Sequence, residues 1–126
     1  MSASRIFVGI SAIEVAKAPA TLTALALGSC VAVILHDPLA KVGGLAHVLL
    51  PSTNVGRPRI DSPGRFAPTA VALLNERVIA MGAVSRRLTA RLVGEAVGGD
   101  FGRSVDFDVE TGKVIVSSYE HGKVEL

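Results

Sequence analysis

Tryptophan is absent from this 126-residue chain, tyrosine occurs once, and aromatic residues make up only 4% of it. A stacking platform for single-stranded nucleic acid needs several exposed rings, so the composition argues against one. Charge of one sign is also scarce: 13 Lys and Arg against 11 Asp and Glu leave a formal net charge of +2. No nucleic-acid partner is expected. The cations at Arg57, Arg59, Arg65, Arg86, Arg87 and Arg91 are weakly clustered. They read first as a solvated surface and second as steering toward an acidic partner. A single cysteine excludes an intramolecular disulfide and fits a reducing, cytoplasmic setting in which a thiol stays reactive. There is no Walker loop, no internal repeat and no low-complexity tract. Gly98-Gly99-Asp100-Phe101-Gly102 lacks the strand and helix that a dinucleotide fingerprint needs, and reads as a loop.

The longest uncharged stretch is Ala18 to Leu35, long enough to raise the question of a membrane span. It contains Pro19, Thr21, Thr23, Gly28 and Ser29, and a second apolar run follows at hairpin distance. No short basic segment precedes it. Strands buried on both faces have this look, so no membrane insertion is expected.

What the chain has in quantity is aliphatic side chains. Hydrophobic residues make up 49% of it, which predicts one domain with a core of Val, Leu, Ile and Ala. Ile6 to Ile10 predicts a first strand, and Arg5 to Val15 is strand-like throughout. Ala20 to Leu27 leads into a strand starting at Cys30. Pro51 to Ala67, with three prolines and two glycines, predicts a long loop, either a binding lid or a surface insertion. Pro68 to Met81 predicts a helix with Val71, Leu74, Val78 and Met81 as its apolar stripe, stopped by Gly82. Arg87 to Val93 predicts a strand. Val105, Phe107 and Val109 alternate with Asp106 and Asp108, and Glu110 to Lys113 turns into Val114 to Val116, a half-exposed hairpin. The two aspartates read as a wet strand face rather than a cation site. His121 falls in a tail expected to be mobile. The fold class predicted is α/β, a mostly antiparallel sheet layered with helix.

The chemistry centres on Cys30 and on His47, seventeen residues later. A thiolate is the attacking species, and an adjacent imidazole both generates and holds it. Val31 to Leu35 and Val42 to Leu50 are apolar runs separated by Asp37-Pro38, a turn signal. With Asp37 to Ala40 as a four-residue loop, His36 pairs with Lys41 and Cys30 falls directly opposite His47. A loop one residue longer or shorter would put the two on opposite faces. Alone, Cys30 reads as a small buried hydrophobe and His47 as a satisfied core histidine. In the same register His36 lies roughly 20 Å along the strand from Cys30, too far to share an ion. No metal and no cofactor is expected. The amides of Gly28 and Ser29 are candidate oxyanion donors, though Gly28 equally suits a crowded bend.

The stretch LGSCVAVILHDPLAKVGGLAHVLLPS, Leu27 to Ser52, resembles the signature of the chemoreceptor glutamine deamidase CheD family. Its Gly-Ser-Cys, Asp-Pro turn, Lys-Val-Gly, Ala-His and Leu-Pro follow the family's order. A weaker likeness runs through Gly64–Gly82 and Gly98–Val116. The resemblance implies a CheD-like sandwich that hydrolyses specific receptor glutamines to glutamate and ammonia, with Cys30 as nucleophile and His47 as base. It implies chemoreceptor cytoplasmic domains as partners, and a CheC-like phosphatase as a second. Two departures stand out. Ala24 occupies the position of the family's third catalytic residue, a Thr, and Thr23 beside it points to the opposite strand face. If that hydroxyl normally orients the histidine, Ala24→Thr should raise the rate roughly ten-fold. The chain is also shortened between about residues 94 and 98, where the family has a further helix and strand, about 25–30 residues with their loops. These departures leave open an alternative, a weak or inactive CheD-like module that docks receptors or a CheC-like protein.

Overall fold

The structure is a computed structural model that describes residues 4–27, 30–49, 67–94, 103–118 and 122–126. In chain order these hold β1 (Ser4–Phe7), β2 (Ile13–Lys17), β3 (Ala20–Leu27), β4 (Cys30–Asp37) and β5 (Val42–Leu49). Helix α1 (Ala67–Ala80) follows, then a short 3-10 turn at Ser85–Arg87 and strands β6 (Thr89–Gly94), β7 (Arg103–Asp108), β8 (Val114–Ser118) and β9 (Gly122–Glu125). One sheet has the order β1-β3-β7-β8-β9 and the other β2-β5-β4-β6. Every pairing is antiparallel except β1 with β3.

The layering follows from strand alternation. In β4, Ala32 and Ile34 face the first sheet; in β5, Leu45 does the same. They meet Ala20, Leu22 and Ala24 of β3 and Val105 and Phe107 of β7 in an aliphatic inter-sheet layer. The alternate residues, Val33 and Leu35 of β4 and Val42, Ala46 and Val48 of β5, face α1. Strands β4 and β5 are thus buried on both sides, which is why their sequence is almost continuously apolar. The uncharged run Ala18–Leu35 is two strands in two different sheets. Among the described residues no helix is long and apolar enough to cross a membrane.

Helix α1 presses on β5, β2 and β4 through Ala70, Leu74 and Val78, all fully buried. Gly44 lets it approach: a Cβ there would lie 2.6 Å from Leu74 Cδ1 and 2.8 Å from Val15 Cγ1. This close seat selects the i, i+4, i+8 row, so Val71, expected in the stripe, is 41% exposed. Gly82 ends the helix as expected. Its φ is +120°, its N–H donates to Ile79 O, and Ala83 N–H reaches back to Val78 O at 2.9 Å.

The hairpin of β4 and β5 corrects the expected register. Cys30 pairs with Leu49, Ala32 with His47 and Asp37 with Val42. The loop is Pro38–Lys41, and Lys41 adopts φ +54°. Asp37 stays in the ladder because its carboxylate is engaged there. Oδ1 accepts the N–H groups of Leu39 and Ala40, both at 3.0 Å, and Oδ2 accepts that of Val84 at 2.8 Å. Arg87 clamps the same carboxylate, with Nη2 at 2.9 Å from Oδ2. The Arg87 guanidinium is the main reason the Asp37 carboxyl titrates well below the usual carboxylate range. Burial opposes that shift, and the N–H donors of Ala40, Val84 and Leu39 add to it. Arg87 is therefore a structural cation and not part of a solvated surface.

Two further expectations change. Residues 122–125 are not a free tail but β9, paired with β8. Asp106 is not simply wet: Thr23 donates to its Oδ1 at 2.7 Å and Arg5 at 3.1 Å. The expected loop before α1, the Gly28-Ser29 pair, the junction at 95–102 and His121 lie outside the described residues, apart from Ala67, which begins the helix.

Candidate active site

His47 is buried near the end of the inter-sheet layer, 1% exposed. Its strand continues the apolar run, and the tight turn joining β1 to β2 grips it from three sides. Ser11 N–H donates to His47 O at 2.8 Å, and His47 N–H donates to Ala12 O at 3.0 Å. The turn closes with Ala12 N–H on Gly9 O at 2.9 Å, and Ser11 takes φ +68° at its third position. The ring is held as well: His47 Nδ1 lies 2.9 Å from the Val8 carbonyl oxygen. Val8 itself is fixed by its N–H on Thr23 O at 2.7 Å.

This contact sets the tautomer. A carbonyl oxygen can only accept, so Nδ1 carries the proton and Nε2 of the neutral ring presents a lone pair. Among the described residues Nε2 is buried and has no hydrogen-bond partner. Buried polar atoms are nearly always paired, so an orphan that is also a base points to a reactive role.

The β4–β5 register places Cys30 on the strand beside His47, though not directly opposite it as expected. Cys30 is opposite Leu49 and His47 opposite Ala32, so Cys30 and His47 are diagonal neighbours on adjacent strands. A two-residue shift keeps them on one sheet face, because strand side chains repeat with period two. Diagonal neighbours are roughly 7–8 Å apart, with Cβ atoms somewhat closer.

Ala24 is fully buried in the inter-sheet layer, the layer His47 also faces, whereas Thr23 turns its hydroxyl to Asp106. The expectation that Thr23 cannot stand in for a residue at position 24 agrees with this geometry. The Val8 carbonyl supplies an orienting group that reading side chains missed. A backbone acceptor carries no residue-type signal; the one hint is Gly9, next to Val8 and two residues past the end of β1. His36, by contrast, is a structural histidine. Its Nε2–H donates to Val109 O at 2.8 Å, and Phe107 meets its ring edge-on at 5.5 Å.

A pocket of about 190 Å³ opens beside His47, bordered by Val8, Gly9 and Thr23 and by the apolar side chains of Phe7, Ile10 and Leu25.

The fold is thus a layered α/β sandwich with a buried imidazole bonded through one ring nitrogen among the described residues. No family model matches the chain. It is 35% identical over 149 aligned positions to the chemoreceptor glutamine deamidase CheD of Thermotoga maritima, covering 92% of this chain and 93% of that protein. It is 32% identical to a probable chemoreceptor glutamine deamidase CheD of Desulfitobacterium hafniense, covering 94% and 96%. A third such protein, from Geobacter sulfurreducens, is 33% identical over 90% of this chain. The chain belongs to the chemoreceptor glutamine deamidase CheD family. The first two alignments run to 149 and 155 positions against 126 residues, so these relatives have residues without counterpart here.

Proposed function

We propose that this chain hydrolyses the side-chain amide of specific chemoreceptor glutamines, acting as a protein-glutamine glutaminase with Cys30 as nucleophile and His47 as base. The observation that carries the reading is the state of His47. Its Nδ1–H is taken by the Val8 carbonyl, and its buried Nε2 is free among the described residues, on the sheet face that Cys30 shares by register.

His47 Nε2 takes the thiol proton of Cys30. The thiolate attacks the glutamine side-chain carbonyl carbon, forming a C–S bond and a tetrahedral intermediate. Collapse breaks the C–N bond, and the imidazolium gives its proton to the departing nitrogen, which leaves as ammonia. Water then attacks the thioester, passing a proton to Nε2. The C–S bond breaks, glutamate leaves, and the proton returns to sulfur. Through both halves the Val8 carbonyl keeps the ring in one tautomer and offsets part of the imidazolium charge. A neutral carbonyl does this less strongly than a buried carboxylate, so the rate should fall below that of a triad with an acid.

The chain is read as a single shortened domain, with the deletion falling between about residues 94 and 98. Its setting is the cytoplasm, where receptor signalling domains lie, and a CheC-like phosphatase is the second partner proposed. The test is ammonia release from a chemoreceptor cytoplasmic fragment. Wild type should release it, and Cys30→Ala should release none while keeping its fold. Cys30→Ser should be far slower, since a hydroxyl is a poor nucleophile near neutral pH. Full activity in Cys30→Ala would reject Cys30 as nucleophile. A wild type that binds the fragment yet releases no ammonia would replace the enzyme with a docking module.

A further inference from the structure

A second pocket, of about 170 Å³, opens between the two sheets at the end where β4 finishes. It is remote from the candidate active site, since His36 in its wall lies six residues along β4 from Cys30, roughly 20 Å at strand rise. Its floor is apolar: Ile34, Phe107 and Val114 are all members of the inter-sheet core. Its polar groups stand where packing alone would not put them. In β6, Thr89 pairs with His36, Arg91 with Ile34 and Val93 with Ala32. These three residues of β6 therefore share the face that meets the other sheet. Only Val93 is buried there, while Leu92 on the opposite face is 71% exposed. Packing alone favours Leu inside and Arg outside, and breaks of this kind are expected at functional sites.

The polar groups of the wall are held in place with bonding capacity left over. His36 Nε2–H donates to Val109 O at 2.8 Å, so Nδ1 of the neutral ring is an acceptor, and among the described residues it has no hydrogen-bond partner. It lies against Gly112, where a Cβ would come to 2.9 Å from it, so the missing side chain leaves room over the nitrogen. Arg91 Nη1 donates to Leu126 O at 2.6 Å, which anchors the guanidinium and leaves its remaining N–H groups without partners among the described residues. Thr111 Oγ1 accepts the Lys113 N–H at 3.2 Å and keeps its own O–H to donate. Thr89 donates to His36 O at 3.3 Å. Among the described residues lining the pocket there is no acid, and Glu110, next to Thr111, is paired with Lys41 at 3.8 Å.

A guanidinium and a hydroxyl donor, a single imidazole acceptor and an apolar floor are complementary to one class of small molecule. We infer that this pocket binds a short-chain hydroxycarboxylate. Its carboxylate meets Arg91 and the Thr111 hydroxyl, its own hydroxyl donates to His36 Nδ1, and its alkyl part lies on Ile34, Phe107 and Val114. An ammonium in place of the hydroxyl would be desolvated with no carboxylate to meet it. Size fits as well: an apolar cavity of about 150 Å³ accepts benzene, so this pocket takes roughly six to eight non-hydrogen atoms. The inference does not rest on the deamidase reading.

The probe is 2-hydroxy-3-methylbutyrate, titrated into the full chain by calorimetry while the imidazole nitrogen signals are followed by NMR. Wild type should bind it with a Kd of roughly 0.1–1 mM, the range open to so few atoms, and the His36 Nδ1 signal should shift while those of His47 stay. Arg91→Gln, an exposed position on the edge strand of its sheet, should keep its melting temperature and bind roughly ten-fold more weakly or worse. The same loss is expected for wild type with 3-methylbutyrate, which lacks the hydroxyl. Lys113→Gln removes a cation outside the lining and should leave Kd unchanged. No binding by wild type up to about 10 mM overturns the site. Equal affinity in Arg91→Gln, or an equal loss in Lys113→Gln, reduces the effect to diffuse charge and overturns it too. Valine binding more tightly than the hydroxy acid overturns the class of ligand.

Discussion

Replacing Ala24 with Thr restores the residue type that the family resemblance expects, and a side-chain comparison alone predicts a faster enzyme. The structure predicts a protein that melts at a lower temperature, with no gain in rate. Ala24 is fully buried, packed in the layer that holds Ala32, Val105 and Phe107. Thr adds two heavy atoms there, and overpacking of this kind costs about 1–3 kcal/mol. The new hydroxyl also needs a partner, and the obvious one, His47 Nδ1, already donates to Val8 O. Leaving a hydroxyl unpaired costs about another 1–3 kcal/mol. A total of roughly 2–6 kcal/mol lowers Tm by about 6–30 °C in a chain this size. Thermal melts, together with ammonia release measured well below both transitions, decide the matter. A ten-fold faster Ala24→Thr with an unchanged Tm would refute the reasoning, because it would mean that the Val8 carbonyl does not set the ring.

Other consequences follow from the same packing and charges. Gly44→Ala should lower the urea midpoint by the equivalent of about 1–3 kcal/mol, since the added Cβ meets Leu74 and Val15 inside van der Waals distance. Combined with Leu74→Ala, it should cost less than the sum of the two single changes. Gly43→Ala should do similar harm through a different layer, its Cβ falling 2.6 Å from the Phe107 ring; retained stability would mean that Phe107 has room to swing. Asp37→Asn should lower Tm at neutral pH by leaving Arg87 and three N–H groups short of a carboxylate. Because the folded-state pKa is depressed, the carboxylate's contribution is full above the unfolded value of about 4 and fades as pH falls toward the folded value. The Tm gap between wild type and Asp37→Asn should therefore narrow in acid, and a gap independent of pH would contradict this assignment.

The hairpin carrying Cys30 and His47 was legible because two apolar runs flank an Asp-Pro. Its register was not, because Asp-Pro reads as the start of the loop. Asp37 instead stays paired with Val42, held by Arg87 fifty residues away, a contact that no local pattern announces. The error was two residues, and period-two alternation preserved the shared face of Cys30 and His47. Gly82 announced the helix end correctly. Val71 was misplaced because Gly44 determines which row of α1 can approach the sheet. Strand β9 was missed because Val124 is its one apolar residue, too little for a pattern. The orienting role of Val8 lay beyond sequence, since every residue has a carbonyl and only the fold aims this one.

The account turns on His47, held by Val8, activating the thiol of Cys30. The most direct measurement is the rate of Cys30 alkylation by iodoacetamide across pH, in wild type and in His47→Ala. Only the thiolate reacts, so near pH 7 wild type should be alkylated at least roughly ten-fold faster than His47→Ala, and the difference should close at alkaline pH as the variant's thiol ionises. Superimposable profiles for the two proteins would contradict the pairing and, with it, the proposed mechanism.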